Sequence, residues 1–328
     1  MADLSTTYMG LKLSNPVIVS SCGLTGKLAT VKACAQAGAG AVVLKSIFEE
    51  QIQAEVAGMI EQSEPSLWHP EAADYITRYG RENAVKEYLQ LIRDAKRELQ
   101  IPIIASIHCV SAGTWIEFAR QVQDAGADGL ELNVFVLPSD PRRDGAENEQ
   151  VYFDIATSVK EKVSIPVALK VGSYFSGLSR TLTRLSRTGI DALVLFNRFF
   201  NLDFDIESMD LVPASYISSP EEAVRPLRWI SLLSGTVECD LAATTGIHDG
   251  TGVVKQILAG ARAVQVCSTL YKHGVEQIEP ILSEFEGWME RHRFDSIDAF
   301  RGKLSQSESK NPAAYLRVQF MKASVGLE

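Results

Sequence analysis

The sequence predicts an α/β fold, a (β/α)8 TIM barrel with insertions after strands 2 and 6, and three observations predict it. First, a helix ending at glycine and an apolar strand starting just after it recur four times. Ala37–Ala41 precedes Val42–Leu44, Ala125–Gly129 precedes Leu130–Leu132, Thr188–Ala192 precedes Leu193–Leu195, and Ala259–Ala263 precedes Val264–Val266. Second, Ile101-Pro102 and Ile165-Pro166 announce two more strands, because proline stops a helix and tolerates the first strand position. Third, the last two strands run into loops of Gly, Ser and Thr, the place where a parallel barrel usually holds phosphate.

Taken in order, the strands are Val17–Ser20, Val42–Leu44, Ile103–Ile107, Leu130–Leu132, Val167–Lys170, Leu193–Leu195, Leu241–Ala243 and Val264–Val266. Helical spacing covers Leu28–Ala37, Ala84–Leu99, Trp115–Ala125, Gln150–Val163, Leu178–Arg187, Ala223–Leu233, Val253–Leu258 and Val275–His292. Strand and helix in alternation mean parallel pairing with helical crossovers. An open doubly wound sheet would carry GxGxxG after its first strand, and Ser21–Gly26 does not match. Two connections are long: Ile47–Gly80 after strand 2, expected to be a polar insertion, and Arg198–Pro220 after strand 6. Insertions at these positions lie on the catalytic face. One domain is expected over residues 1–328, with 305–328 as a C-terminal extension that packs as a helix, mediates association or stays mobile.

Composition bounds the function classes. With 46% hydrophobic and 22% charged residues the chain has a full core, and a net charge of −9 argues against nucleic acid or an anionic membrane as partner. The five cysteines are scattered with no CxxC pair, so no zinc or iron–sulfur motif is present, and reduced thiols in the cytoplasm are expected. Neither a signal-like start nor a membrane-spanning apolar run is seen, and no metal site is expected.

Chemistry on such a barrel is sought at the strand C-termini. They read Ser20-Ser21-Cys22-Gly23, Lys45-Ser46, Ser106-Ile107-His108-Cys109, Glu131-Leu132-Asn133, Lys170, and Asn197-Arg198. Thr244-Thr245-Gly246 and Cys267-Ser268 close the series with two tandem turns whose backbone N–H groups suit an anion. Two lysines, amide side chains and a phosphate grip suit a flat, phosphorylated, electron-rich cofactor. The rival reading is a Schiff-base lyase or aldolase-type barrel, with Lys45 or Lys170 as nucleophile on a phosphorylated substrate.

These residues resemble the dihydroorotate dehydrogenase family over roughly Leu4–Lys303. The likeness is carried by Asn15-Pro16-Val17 with Ser20-Ser21, Leu44-Lys45-Ser46, Glu131-Leu132-Asn133, Ala168-Leu169-Lys170, Ala243–Ile247 and Leu258–Ser268. It implies a barrel that binds FMN and an oxidoreductase acting on CH–CH groups in pyrimidine metabolism. By the same resemblance Ser20, Ser21, Lys45, Ser46, Asn133, Lys170 and Asn197 contact the flavin. The backbone amides of Thr245, Gly246, Cys267 and Ser268 hold the phosphate, Thr244 belongs to the same cofactor site, and the Ser218-Ser219-Pro220 turn approaches the ring. A homodimer is implied as well.

The family places a Cys or Ser base shortly after the strand-4 Asn; here the run is Asn133–Pro138, and Val136 takes the base's position. Valine cannot take a proton. Orotate recognition is therefore expected to be lost while flavin binding is kept, leaving a small planar substrate. His69, Glu71, His108, Cys109 and Tyr174, with Lys45, are the candidates for the proton, and Arg198, Phe199 and Phe200 for clamping a planar anion. A non-catalytic flavoprotein subunit is the other alternative. With no dinucleotide fingerprint, any nicotinamide cofactor would bind at the flavin face or through a redox partner protein.

Overall fold

A computed structural model describes residues 2–48, 70–108, 112–199, 201–215 and 217–316, with backbone alone over 70–82 and 112–113. The chain enters through an antiparallel hairpin, β1 (Thr6–Tyr8) and β2 (Leu11–Leu13). It then builds β3 (Val17–Val19), β4 (Ala41–Val43), β5 (Ile47–Phe48), β6 (Ile103–His108), β7 (Gly129–Asn133), β8 (Val167–Val171) and β9 (Ala192–Leu195). A second hairpin, β10 (Leu202–Asp205) and β11 (Asp210–Pro213), precedes β12 (Asp240–Thr244) and β13 (Ala263–Val266).

Eight parallel strands close into a ring. The order β4-β3-β13-β12-β9-β8-β7-β6 returns to its start because β4 also pairs with β6, Val42 facing Ile103. Strand 2 of the barrel is interrupted, and both β4 and β5 lie against β6. At the gap the Tyr88 hydroxyl accepts the Ser106 N–H at 2.8 Å and donates to the Ser106 carbonyl at 3.0 Å. A buried backbone pair is thereby satisfied where no strand neighbour exists.

The outer ring consists of α1 (Leu28–Gln36), α2 (Pro70–Glu98), α3 (Ala112–Asp124), α4 (Gly145–Lys160), α5 (Leu178–Leu185), α6 (Val224–Leu233), α7 (Gly250–Ala259), the short α8 (Ser268–His273) and α9 (Ile278–Arg291). One expectation needs correction. Residues from Pro70 to Gly80, read as loop, belong to α2, a helix whose polar composition hid its start. The insertion after strand 6, expected from the length of that connection, carries the β10–β11 hairpin. Residues 49–69 and 317–328, within the strand-2 insertion and the C-terminal extension, lie outside the described residues.

Inside the ring the side chains alternate as strand geometry requires. A lower apolar layer joins Ile18, Ala41, Val43, Ile104, Ala168, Val194, Ala242 and Ala263 to Tyr8, Met9 and Leu13 of the N-terminal hairpin, which plugs the barrel floor. Two residues further along the same strands, Ser20, Ser106, Lys170 and Gln265 stand above that floor, with Glu131 beside them. The interior is therefore filled below and polar toward the C-terminal mouth.

The recurring helix-to-strand phrase carries its own lock. Asp128 accepts the Ile103 N–H at 2.8 Å and the Lys96 ammonium at 2.7 Å. Asp191 repeats the pattern, taking the Val167 N–H at 2.8 Å and pairing with Lys160. Each carboxylate ties a helix end to the first residue of the neighbouring strand. Asp128→Ala should lower stability by about 2 kcal/mol, given the worth of hydrogen bonds to charged groups. Urea unfolding is expected to show a lower midpoint at unchanged slope; an unchanged midpoint would contradict the lock.

Candidate active site

At the C-terminal mouth the residues at the ends of β3, β8, β9, β12 and β13 surround a cleft of about 150 Å³. Its lining includes Ser20, Ser21, Lys170, Asn197, Thr244, Thr245, Gly246, Cys267 and Ser268, all expected from sequence. Phe196, Arg198, Ser218, Ile247 and Gln265 complete it.

Lys170 is the centre of the cleft floor. Its ammonium donates to Ser20 Oγ and to Gln265 Oε1, both at 3.0 Å, and stands 3.5 Å from Glu131 Oε1. Gln265 turns its amide nitrogen to Glu131 Oε2 at 2.5 Å, and the Ser20 hydroxyl donates to Gln265 Oε1 at 3.0 Å. Lys170 and Glu131 are both buried, so each charge depends on the other. Gln265 was missed in the sequence. The signal was a polar residue at an inward position of an otherwise apolar strand, Ala263-Val264-Gln265-Val266.

A serine chain runs from the cleft toward strand 3. Ser21 Oγ and Ser46 Oγ lie 2.9 Å apart, Ser46 and Ser106 Oγ 2.7 Å, and the Ser46 N–H donates to Ser21 Oγ. Ser46 thus reaches the cleft through Ser21. Lys45 is half-buried, with its stem packed over Gly26, and does not line this cleft. Asn133 stands beside the cleft and accepts from the Asn197 side-chain amide at 2.5 Å, which brings the strand-4 and strand-6 amides together.

The opposite wall is formed by tandem turns. Thr245 and Gly246 both adopt positive φ, 78° each, and a Cβ on Gly246 would fall 2.2 Å from the Ala223 nitrogen. The Thr245 hydroxyl fixes the turn through the Phe196 carbonyl at 3.1 Å. Ser218, at the turn before α6, donates through its N–H and its hydroxyl to Ser268 Oγ, each at 2.9 Å, and its hydroxyl accepts the Gly246 N–H. Ser219 is placed differently from the other predicted residues. It forms the N-cap of the Pro220–Ala223 turn, exchanging hydrogen bonds with Glu222, and its neighbour Ser218 lines the cleft.

The rest of the mouth is aromatic. His108 stacks on Phe135 with ring centres 5.0 Å apart, Phe135 meets Phe199 edge-on at 5.2 Å, and Phe199 meets Tyr174 at 4.7 Å. Arg198 donates from Nε to Glu222 at 3.0 Å and from Nη1 to the Ser215 carbonyl at 2.7 Å, so its charge is compensated by a carboxylate of the protein. Phe200, His69 and Cys109 lie outside the described residues, as does the Glu71 side chain. Among the described residues no group of acidic, His and Cys side chains is arranged to hold a metal, and no helix is long and apolar enough to cross a membrane.

A parallel barrel with a hydroxyl- and amide-lined cleft beside its seventh and eighth strands has the architecture of the (β/α)8 barrel enzymes, which carry their active sites at this face. The family model for dihydroorotate dehydrogenase matches residues 3–289. The chain belongs to the dihydroorotate dehydrogenase family, oxidoreductases that act on CH–CH groups with a flavin. It is 29% identical to the dihydroorotate dehydrogenase B (NAD(+)) catalytic subunit of Thermoplasma acidophilum, covering 92% of this chain and 99% of that protein. The corresponding subunit of Methanosarcina acetivorans is 28% identical, over 89% and 93%. The chloroplastic dihydropyrimidine dehydrogenase (NADP(+)) of Arabidopsis thaliana is 23% identical, over 93% of this chain and 77% of its own.

Two thiols meet at the rim of the phosphate-side wall. A hydrogen bond from Cys267 pulls the Cys22 thiol down to about 6 against the effect of burial, and the same contact pushes Cys267 upward. Alkylation of Cys22 by iodoacetamide should therefore rise with pH through a midpoint near 6 and level off above it. Cys267→Ala should return that midpoint toward the ordinary thiol range. A wild-type midpoint already in the ordinary range would contradict the contact.

Proposed function

We propose that the chain is an FMN-dependent oxidoreductase that oxidises or reduces a C–C bond of a small, planar, neutral ring. The supporting observation is the convergence of Lys170, the Asn133–Asn197 pair and the turns at Thr245–Gly246 and Cys267–Ser268 on one cleft. The donor set fits the group: small hydroxyls and turn backbone for a phosphate, an ammonium and two amides for a heterocycle with carbonyl and imide edges. When bound, FMN supplies the site that accepts or returns a hydride.

The chain's own residues do the rest. Ser218, Thr245, Gly246, Cys267 and Ser268 would hold the phosphate. Lys170, kept in place by Glu131 and Gln265, would set a positive charge beside the ring's electron-rich edge. Asn133 and Asn197, already bonded to each other, would fix the amide edge with little loss of freedom on binding. Phe135, Phe199 and Tyr174 would offer ring faces and edges to a flat substrate.

The charge of Arg198 is already paired with Glu222, which favours an uncharged ring over dihydroorotate. A dihydropyrimidine without a ring carboxylate is the simplest substrate of that kind. An ammonium giving its protons to Ser20 and Gln265 beside a carboxylate is poorly set to attack a carbonyl, which weakens the Schiff-base reading for Lys170. We keep the whole of residues 1–328 as one FMN-binding barrel with 305–328 as an extension, acting as a homodimer with a redox partner protein in the cytoplasm. Val136 at the family's base position leaves the proton acceptor to another residue.

The test is an anaerobic half-reaction of the FMN-loaded protein with 5,6-dihydrouracil and, separately, dihydroorotate. Bleaching of the flavin bands by dihydrouracil, faster than by dihydroorotate, is the expected result. A preference for dihydroorotate would overturn the neutral-ring substrate, and a protein that takes up no FMN would overturn the cofactor.

A further inference from the structure

Removing two hydrogens from a C–C bond needs two acceptors. A hydride leaves one carbon with its electron pair for the flavin, and a proton leaves the neighbouring carbon. The electrons of that second C–H bond become the new π bond, so the proton requires a base with a free lone pair. We propose that His108 is that base, acting through Nε2, an assignment that rests on the oxidoreductase reading above.

Three observations carry it. The first is position. Strand alternation puts His108 on the inward side of β6, two residues beyond Ser106, whose hydroxyl belongs to the interior serine chain. His108 is thus at the C-terminal mouth, on the strand next to the one carrying Asn133, and is only half-buried.

The second is the tautomer. Nδ1 of His108 lies 2.6 Å from the Asn133 carbonyl oxygen, which can only accept. The proton of a neutral ring therefore belongs on Nδ1, and Nε2 keeps its in-plane lone pair. A carbonyl in this role also stabilises the imidazolium formed once Nε2 has bonded the substrate's proton. The third is rigidity. Phe135 stacks on one face at an interplanar angle of 19°, Phe48 meets the ring at 5.2 Å, and Trp115 packs edge-on at 6.1 Å. Three rings and one hydrogen bond hold the imidazole in a single orientation.

Four other titratable groups near the mouth are placed elsewhere. Glu131 lies below, engaged by Gln265 and Lys170. His248 is beside Ser218 on the phosphate-side wall, with Nε2 3.4 Å from that hydroxyl. Cys22 and Cys267 follow β3 and β13, and β13 stands four strands from β7 around the ring.

The test uses the FMN-loaded protein and dihydrouracil as probe. His108→Asn keeps a donor near the Nδ1 position while removing the base, and His108→Gln is the second variant. Both should retain FMN and full reduction by dithionite, while bleaching by dihydrouracil slows by about 100-fold or more. Val136→Cys added to His108→Asn should recover part of the rate. Independently of turnover, ¹⁵N-histidine NMR of the neutral wild-type protein should show His108 protonated at Nδ1 and bare at Nε2. Bleaching of either variant at the wild-type rate would overturn the assignment. So would a proton on Nε2, or loss of FMN from both variants, which would make His108 structural. Wild-type protein that holds FMN but is bleached by neither dihydropyrimidine would instead bring down the oxidoreductase reading itself.

Discussion

The Lys170–Glu131 pair, bridged by Gln265 and Ser20, sits where the barrel changes from filled core to open mouth. Burying either charge alone would cost several kcal/mol, so the pair persists only as a connected network. Four strands, β3, β7, β8 and β13, contribute one member each, and the network fixes their relative height at the level of the cleft floor. Everything above it depends on that arrangement. The cleft keeps its ammonium because Glu131 lies beside it, and the apolar plug of Tyr8, Met9 and Leu13 closes the barrel beneath.

Around this floor the mouth divides into two halves with different chemistry. The side of β12 and β13 is small, hydroxyl-rich and bound tightly to the start of α6 through Ser218, Ser268 and Gly246. The other side is aromatic, built from His108 at the end of β6, Phe135 after β7, Tyr174 after β8 and Phe199 after β9. One half suits an anionic tail and the other a flat ring, with Lys170 and the two asparagines between them. The division follows from strand order alone, since β7 and β13 lie opposite each other in an eight-membered ring.

Much of this was legible in the sequence because the signals were local. The glycine-ended helices and Ile-Pro strand starts marked the eight repeats, and the strand-end residues Ser20, Lys170, Asn197 and the two Gly/Ser/Thr turns could be read off their borders. What escaped was of two kinds. The hairpins Thr6–Leu13 and Leu202–Pro213 have strands of three and four residues, too short for a clear period of two. The other losses were non-local pairings. That Ser218 rather than Ser219 lines the cleft is decided by the capping box between Ser219 and Glu222. Gln265 meets Glu131 across 134 positions of chain, and the carbonyl of Asn133 selects a tautomer of His108 25 positions away. Neither leaves a trace in spacing.

The central claim is that one cleft grips both the phosphate and the ring of the same cofactor. Equilibrium titration of the flavin-free protein with FMN and with riboflavin tests it most directly, because the two ligands differ only in the phosphate. The account predicts one FMN per chain and markedly weaker binding of riboflavin, with Gly246→Ala narrowing the difference. Equal affinity for the two, or no binding of either, would contradict it.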